Sequence, residues 1–180
     1  MKQFVVALAL VISGLLSAQE DNPSPFLENQ PRHELRLDAI ELIAVSALEL
    51  SYEYVISQYS GAGASLTISL DSDSVSEENW KFTPFYRQYF FNNQDYGARG
   101  FFAEANLQVA FLEDPPCEEC VELGERADFT TMGAGLALGQ KWLSRNGFSL
   151  ELSAGIGRYF INNQDRDFYF RGGVLVGYRF

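Results

Sequence analysis

Hydrophobic residues recur at every second position along much of this chain. In residues 168–180 one face reads Phe, Phe, Gly, Val, Val, Tyr, Phe, and the other reads Tyr, Arg, Gly, Leu, Gly, Arg. Side chains of a β-strand alternate between two faces, so this pattern predicts a strand with one apolar face. Aromatic residues at both ends with aliphatic residues between them are typical of a lipid-facing strand.

The same alternation is found in seven further segments of about ten residues. The eight predicted strands cover residues 34–42, 48–56, 62–70, 80–91, 101–111, 131–142, 148–157 and 168–180. Pro84 has no N–H group to donate to a neighbouring strand, so we expect a bulge or a strand end there. A bulge would also explain why the alternation is broken at residues 40–42. Eight strands of this length predict an all-β fold, an eight-stranded antiparallel up-and-down transmembrane β-barrel over residues 34–180.

The first 33 residues differ from the rest. Lys2 precedes the apolar run 4–16, and Ser17, Ala18 and Gln19 follow it, which is the pattern of a cleaved secretory signal over residues 1–18. Thirteen helical residues span only about 20 Å, too little for a hydrocarbon core of about 30 Å. Residues 19–33 contain three prolines and no periodicity, which indicates a flexible lead-in. We therefore expect an exported protein.

Loop lengths suggest a topology with both termini in the periplasm. The outside loops would be 43–47, 71–79, 112–128 and 160–167, and the periplasmic turns would be 57–61, 92–99 and 143–147. Asn146 and Gly147 suit a tight turn because both tolerate positive φ.

Alternation alone does not distinguish a membrane barrel from a soluble lipocalin-like barrel, since exchanging the two faces leaves the same pattern. Glycines on strands six to eight suit a crowded, narrow interior better than a solvated exterior. The final aromatic residue, Phe180, resembles the assembly signal of outer-membrane barrels. Both features favour a bacterial outer-membrane location.

Several segments resemble known barrels. The architecture is similar to that of outer membrane protein A/X-type barrels. The runs 84–90 (PFYRQYF), 100–104 (GFFAE), 139–142 (GQKW) and 155–157 (GIG) resemble an uncharacterised family of short outer-membrane barrels. This resemblance covers about residues 34–180, and it implies a fold without an established activity.

The predicted inward faces carry ten charged residues, five of each sign. They are Arg36, Arg87, Lys141, Arg171 and Arg179 with Asp38, Glu49, Glu53, Glu104 and Glu151. An eight-stranded barrel leaves little room for bulk water, so we expect these charges to pair into a plug-like network. The alternative is a narrow ion channel lined by the same residues.

No catalytic arrangement is evident, and we expect no enzymatic activity. A Ser–His–acid site would need a histidine near the outer rim, whereas the single histidine, His33, precedes the first strand on the predicted periplasmic side.

The net charge of −11 excludes a basic nucleic-acid-binding surface. Residues 71–79 carry a charge of −4 and residues 113–128 carry −6, so most of the excess lies on two predicted outside loops. There, beside the bilayer and lipopolysaccharide phosphates, carboxylates could bind Ca²⁺ or Mg²⁺. The alternative is that these loops form a solvated surface that binds no ion. The candidate metal contacts are Asp71, Asp73, Glu118, Glu119 and Glu122.

Cys117 and Cys120 lie within the larger acidic loop. In an exported protein this spacing favours a local disulfide over a metal site or free thiols, since no second ligand pair is present. The sequence thus predicts a monomeric outer-membrane barrel with a structural or surface-interaction role and no resident cofactor. A narrow channel and a secreted barrel that binds an apolar ligand are the alternatives.

Overall fold

The computed structural model describes residues 31–70, 78–90, 97–113, 128–161 and 167–180. The described residues form β1 (His33–Asp38), β2 (Ala47–Ser57), β3 (Ser60–Ser69), β4 (Glu78–Phe90), β5 (Gly100–Glu113), β6 (Asp128–Leu143), β7 (Phe148–Ile161), β8 (Phe168–Arg171) and β9 (Val174–Arg179). A π-helical turn, Glu41–Val45, lies between β1 and β2. In this part of the chain no helix is long and apolar enough to cross a membrane.

The strands close into an antiparallel barrel. Each strand from β1 to β7 pairs with the next one along the chain. β8 and β9 both pair with the same edge of β7, so together they form the eighth strand of the barrel. β9 also pairs with β1, which closes the cylinder. The predicted all-β, eight-stranded antiparallel barrel is therefore confirmed.

The stagger of the barrel is the number of residues by which the strand register is displaced after one full circuit of paired residues. The circuit runs through Glu34, Glu53, Gly63, Phe85, Asn106, Gly135, Gly157 and Tyr169. On its other edge β1 pairs Glu34 with Arg179, ten residues beyond Tyr169 on the eighth strand. A stagger of ten residues over eight strands corresponds to a tilt of roughly 40°. Each residue then rises about 2.5 Å along the barrel axis.

The apolar faces of the strands point outward, and the polar faces point inward. On β7, Phe148, Leu150 and Leu152 are exposed, whereas Ser149 and Glu151 are buried. The same division holds along most of the other strands, because successive side chains of a strand alternate between the lumen and the outside.

Residues 40–42 do not form a bulge within a strand, and that expectation was wrong. β1 ends at Asp38, whose Oδ1 accepts hydrogen bonds from the backbone N–H groups of Ile40 (2.8 Å) and Glu41 (3.1 Å). The π-helical turn follows and ends at Ser46, which has a φ of 53°. The alternation is lost here because the chain leaves the sheet.

The expected bulge or strand end at Pro84 was also wrong. β4 continues through Pro84, which pairs with Ala64 of β3. Toward β5 the register is the same before and after the proline, with Phe82 opposite Val109 and Phe85 opposite Asn106. The missing N–H therefore leaves the strand alignment unchanged.

Inward-facing glycines make room for aromatic rings in the lumen. A Cβ atom at Gly157 would overlap the ring of Tyr169, and one at Gly139 would overlap the ring of Phe102. The predicted tight turn is also present, with Gly147 at a φ of 90° and its N–H bonded to the Ser144 carbonyl oxygen.

Candidate functional site in the barrel lumen

Five ionic side chains from five strands meet inside the barrel, and we call them the central cluster: Arg36, Glu53, Arg87, Lys141 and Glu151. Glu53 Oε2 lies 2.6 Å from Arg36 Nη1, 3.0 Å from Arg87 Nη1 and 2.7 Å from Lys141 Nζ. Glu151 Oε2 lies 2.9 Å from Arg36 Nη1 and 2.7 Å from Arg87 Nη1. Three cations thus share two carboxylates in the interior.

Further ion pairs extend the central cluster toward both ends of the barrel. Toward the chain termini, Glu34 lies 2.7 Å from Arg179 Nη2 and 3.3 Å from Lys141 Nζ. Toward the opposite end, Glu104 lies 2.7 Å from Arg87 and Arg171, and Arg171 lies 3.5 Å from Glu49. The described network therefore contains five basic and five acidic side chains, whose formal charges cancel.

Aromatic side chains surround the ionic groups. The Tyr89 hydroxyl donates a hydrogen bond to Glu53 Oε1 at 2.6 Å. The guanidinium of Arg87 lies close to two rings, 4.5 Å from the centroid of Phe85 and 4.4 Å from that of Phe102. Such contacts stabilise a desolvated cation and restrict its rotation.

Burial without pairing would make this arrangement unstable. Moving a single ion out of water costs several kcal/mol even after relaxation, and mutual attraction offsets that cost only where partners are close and hydrogen-bonded. In the central cluster the side chains are at most 2% exposed, and the described contacts satisfy most of their polar atoms. The network therefore fills and cross-links the lumen.

Neutral polar side chains also line the lumen beyond Glu104. Asn106 accepts a hydrogen bond from the Tyr169 hydroxyl at 2.7 Å, and Gln108 donates one to the Tyr159 hydroxyl at 2.6 Å. These hydrogen bonds between neutral side chains add to the ion pair of Arg171 with Glu49 in this half of the interior.

The structure places all ten predicted lumen residues on the inward face, and nine of them take part in the ion pairs described above. The tenth, Asp38, instead accepts backbone hydrogen bonds at the start of the turn after β1. Glu34 is an additional member of the network that was not among the predicted lumen residues. Its position two residues before Arg36 would have placed it on the same face.

Glu41 lies at the rim, in the turn outside the strands. Its Oε1 is 3.9 Å from Lys81 Nζ, and its buried Oε2 has no hydrogen-bond partner among the described residues. Burial, followed by the negative charge of Glu49, raises the pKa of Glu41 to about 7. This carboxyl group therefore changes its charge near neutral pH.

His33 lies on the outer surface, beside the chain terminus. Its Nδ1 is 2.7 Å from the Tyr52 hydroxyl, and its ring stacks at 6.0 Å from that of Phe180. The described neighbours of His33 are aromatic side chains. They include no serine and acid that could form a Ser–His–acid site with it.

The candidate metal residues Asp71, Asp73, Glu118, Glu119 and Glu122 lie outside the described residues, as do Cys117 and Cys120. The structure therefore leaves the cation and disulfide predictions untested. Within the described residues, no group of three or more His, Cys, Asp or Glu side chains could hold a metal ion.

No protein-family model, curated protein or solved structure matches the chain. The structure shows a closed eight-stranded antiparallel barrel, and the resemblance to outer membrane protein A/X-type barrels and to the family of short barrels stays a prediction.

Proposed function

We propose that this protein is a bacterial outer-membrane β-barrel without catalytic activity, which has a structural or surface-interaction role. The observation that carries the proposal is the inverted distribution of side chains. Arg36, Lys141 and Glu151 are almost fully buried, while Leu136 is 69% exposed and Phe170 is 85% exposed. A water-soluble barrel needs the opposite arrangement, because exposed apolar surface of this extent is unfavourable in water.

Many of the exposed or half-buried aromatic rings lie near the two ends of the barrel, and this distribution supports the proposal. The ring set near the termini comprises Tyr54, Phe90, Phe101, Trp142, Phe148, Tyr178 and Phe180. The opposite set comprises Trp80, Phe111, Phe160 and Phe168. From the strand tilt, the two sets are about 25 Å apart along the axis. This distance matches the apolar band of outer-membrane barrels, which aromatic girdles flank on both sides.

A secreted lipocalin-like barrel is the less favoured alternative. Such a protein would hold an apolar ligand in an apolar cavity, whereas the described interior is filled by paired charges and hydrogen-bonded polar groups.

A narrow channel is the second function that a charged lumen could serve. It needs a continuous water path along the axis, and the central cluster occupies the axis with three cations and two carboxylates. We therefore expect no steady conductance when the purified protein is inserted into a planar bilayer. Reproducible single-channel currents would favour the channel.

The proposed contact surface is the pair of acidic segments 71–79 and 113–128. Its support is compositional, because these segments carry −4 and −6 of the net charge. Under the proposed topology both lie at the cell surface, where negative charge governs which partners can approach.

Membrane fractionation tests the proposal directly. We expect the protein in the outer-membrane fraction, and we expect unboiled and boiled samples to migrate differently on an SDS gel, because a closed barrel resists unfolding by the detergent. A protein recovered in the soluble fraction, without a heat-dependent shift, would overturn the proposal.

A further inference from the structure

The charged side chain of Arg158 points outward from the barrel wall. Among strand residues whose side chains the structure describes, Arg158 of β7 is the one Arg, Lys, Asp or Glu on the outer face. None of the ion pairs between described residues includes it. A cation on an apolar wall is costly at mid-membrane and favourable at the headgroup level.

The position of Arg158 can be measured from the barrel geometry. It lies ten residues above Phe148 on the same strand, which is about 25 Å along the axis. Phe148 belongs to the girdle near the termini, so Arg158 lies at the level of the opposite girdle. There its guanidinium carbon is 5.9 Å from the ring centroid of Phe168.

The surface below Arg158 is apolar. Arg158 pairs with Phe168 across the sheet, and the next outward pair toward the middle of the barrel is Ile156 with Phe170. Ile156 is 52% exposed and Phe170 is 85% exposed. A cationic group thus lies directly above an exposed aliphatic and aromatic platform.

We propose that Arg158, Phe168, Ile156 and Phe170 form a binding site for a phosphate-bearing lipid of the outer leaflet. The guanidinium would bind phosphate oxygens with paired N–H donors, while the first part of an acyl chain would lie on Ile156 and Phe170. This inference rests on the proposed function, since it needs the girdle at Arg158 to lie in the outer leaflet.

Native mass spectrometry of the detergent-solubilised protein tests the site, with phosphatidylglycerol as the probe and phosphatidylcholine for comparison. We expect Arg158→Gln to weaken phosphatidylglycerol binding roughly tenfold and Arg158→Lys to weaken it less, since lysine keeps the charge but not the fork of donors. Arg145→Gln is the matched control, because Arg145 lies in the exposed turn at the opposite end. The Arg145→Gln variant should bind phosphatidylglycerol with the same affinity as the wild type.

Three outcomes would overturn the inference. The first is equal lipid affinity of the wild type and Arg158→Gln, and the second is a loss of lipid affinity in Arg145→Gln as large as that in Arg158→Gln. The third is displacement of the lipid by excess inorganic phosphate, which would indicate a site for the free anion. Each variant is first checked for the heat-dependent mobility shift, which shows that the barrel is closed. Failure of the proposed function would instead appear as wild-type protein in the soluble fraction.

Discussion

The guanidinium of Arg87 forms a two-pronged ion pair with Glu151, with Nη1 2.7 Å from Oε2 and Nη2 2.9 Å from Oε1. Arg87 lies on β4 and Glu151 on β7, which are not neighbours in the sheet. The pair therefore connects separate walls of the barrel across its lumen. Planar, paired hydrogen bonds of this kind are among the stronger ionic contacts in proteins.

Removing the charge of Glu151 should destabilise the barrel strongly. Glu151→Gln keeps the shape of the side chain but leaves Arg36 and Arg87 without one of their shared carboxylates. We expect a loss of about 3 kcal/mol in the free energy of unfolding, because an uncompensated buried charge remains. Urea unfolding in lipid vesicles measures this change.

Ser149→Ala is the control on the same face of the same strand. The buried Ser149 Oγ has no hydrogen-bond partner among the described residues, so its removal should change stability by less than about 1 kcal/mol. Equal stability of the two variants would contradict a stabilising role for the central cluster.

Gly157 provides a test of interior packing. A side chain there would overlap the ring of Tyr169, so Gly157→Val should lower stability by about 3 kcal/mol. Ala154→Val, on the exposed face of the same strand, should be nearly neutral. Adding Tyr169→Ala to the Gly157→Val variant should recover part of the loss, and a double variant no more stable than the single one would argue against this contact.

The membrane proposal predicts a cost that depends on depth. Leu138 is 56% exposed between the two girdles, and Leu138→Arg should cost about 2–4 kcal/mol in a bilayer. Gln140→Arg, two residues nearer the girdle on the same face, should cost about 1 kcal/mol or less. In a soluble barrel both positions would face water, so equal tolerance of the two variants would count against membrane insertion.

Glu41 predicts a specific pH dependence. Because burial and the charge of Glu49 raise its pKa from 4.5 to about 7, the folded state binds more protons than the unfolded state between these values. Stability should therefore fall as the pH rises from about 4.5 to 7, by up to about 3 kcal/mol from this group. Glu41→Gln should match wild type at pH 4 and exceed its stability at pH 8, and parallel stability curves would contradict this assignment.

The sequence by itself determined the class of fold and the two faces of most strands. Period-two alternation places residues such as Leu150 and Glu151 on opposite sides whatever surrounds them, because successive side chains of a strand point in opposite directions. It also indicated the crowded interior, since glycine recurs on the inward face where Tyr169 and Phe102 pack.

Only the tertiary structure decided which charges meet. Shifting a strand by two residues keeps its alternation unchanged but alters every partner across the lumen, so the pattern could not pair Arg87 with Glu151. Those contacts depend on the ten-residue stagger set by strand pairing around the closed barrel. For the same reason, the chain's departure from the sheet after Asp38 and the unbroken register at Pro84 became evident only once neighbouring strands were in place.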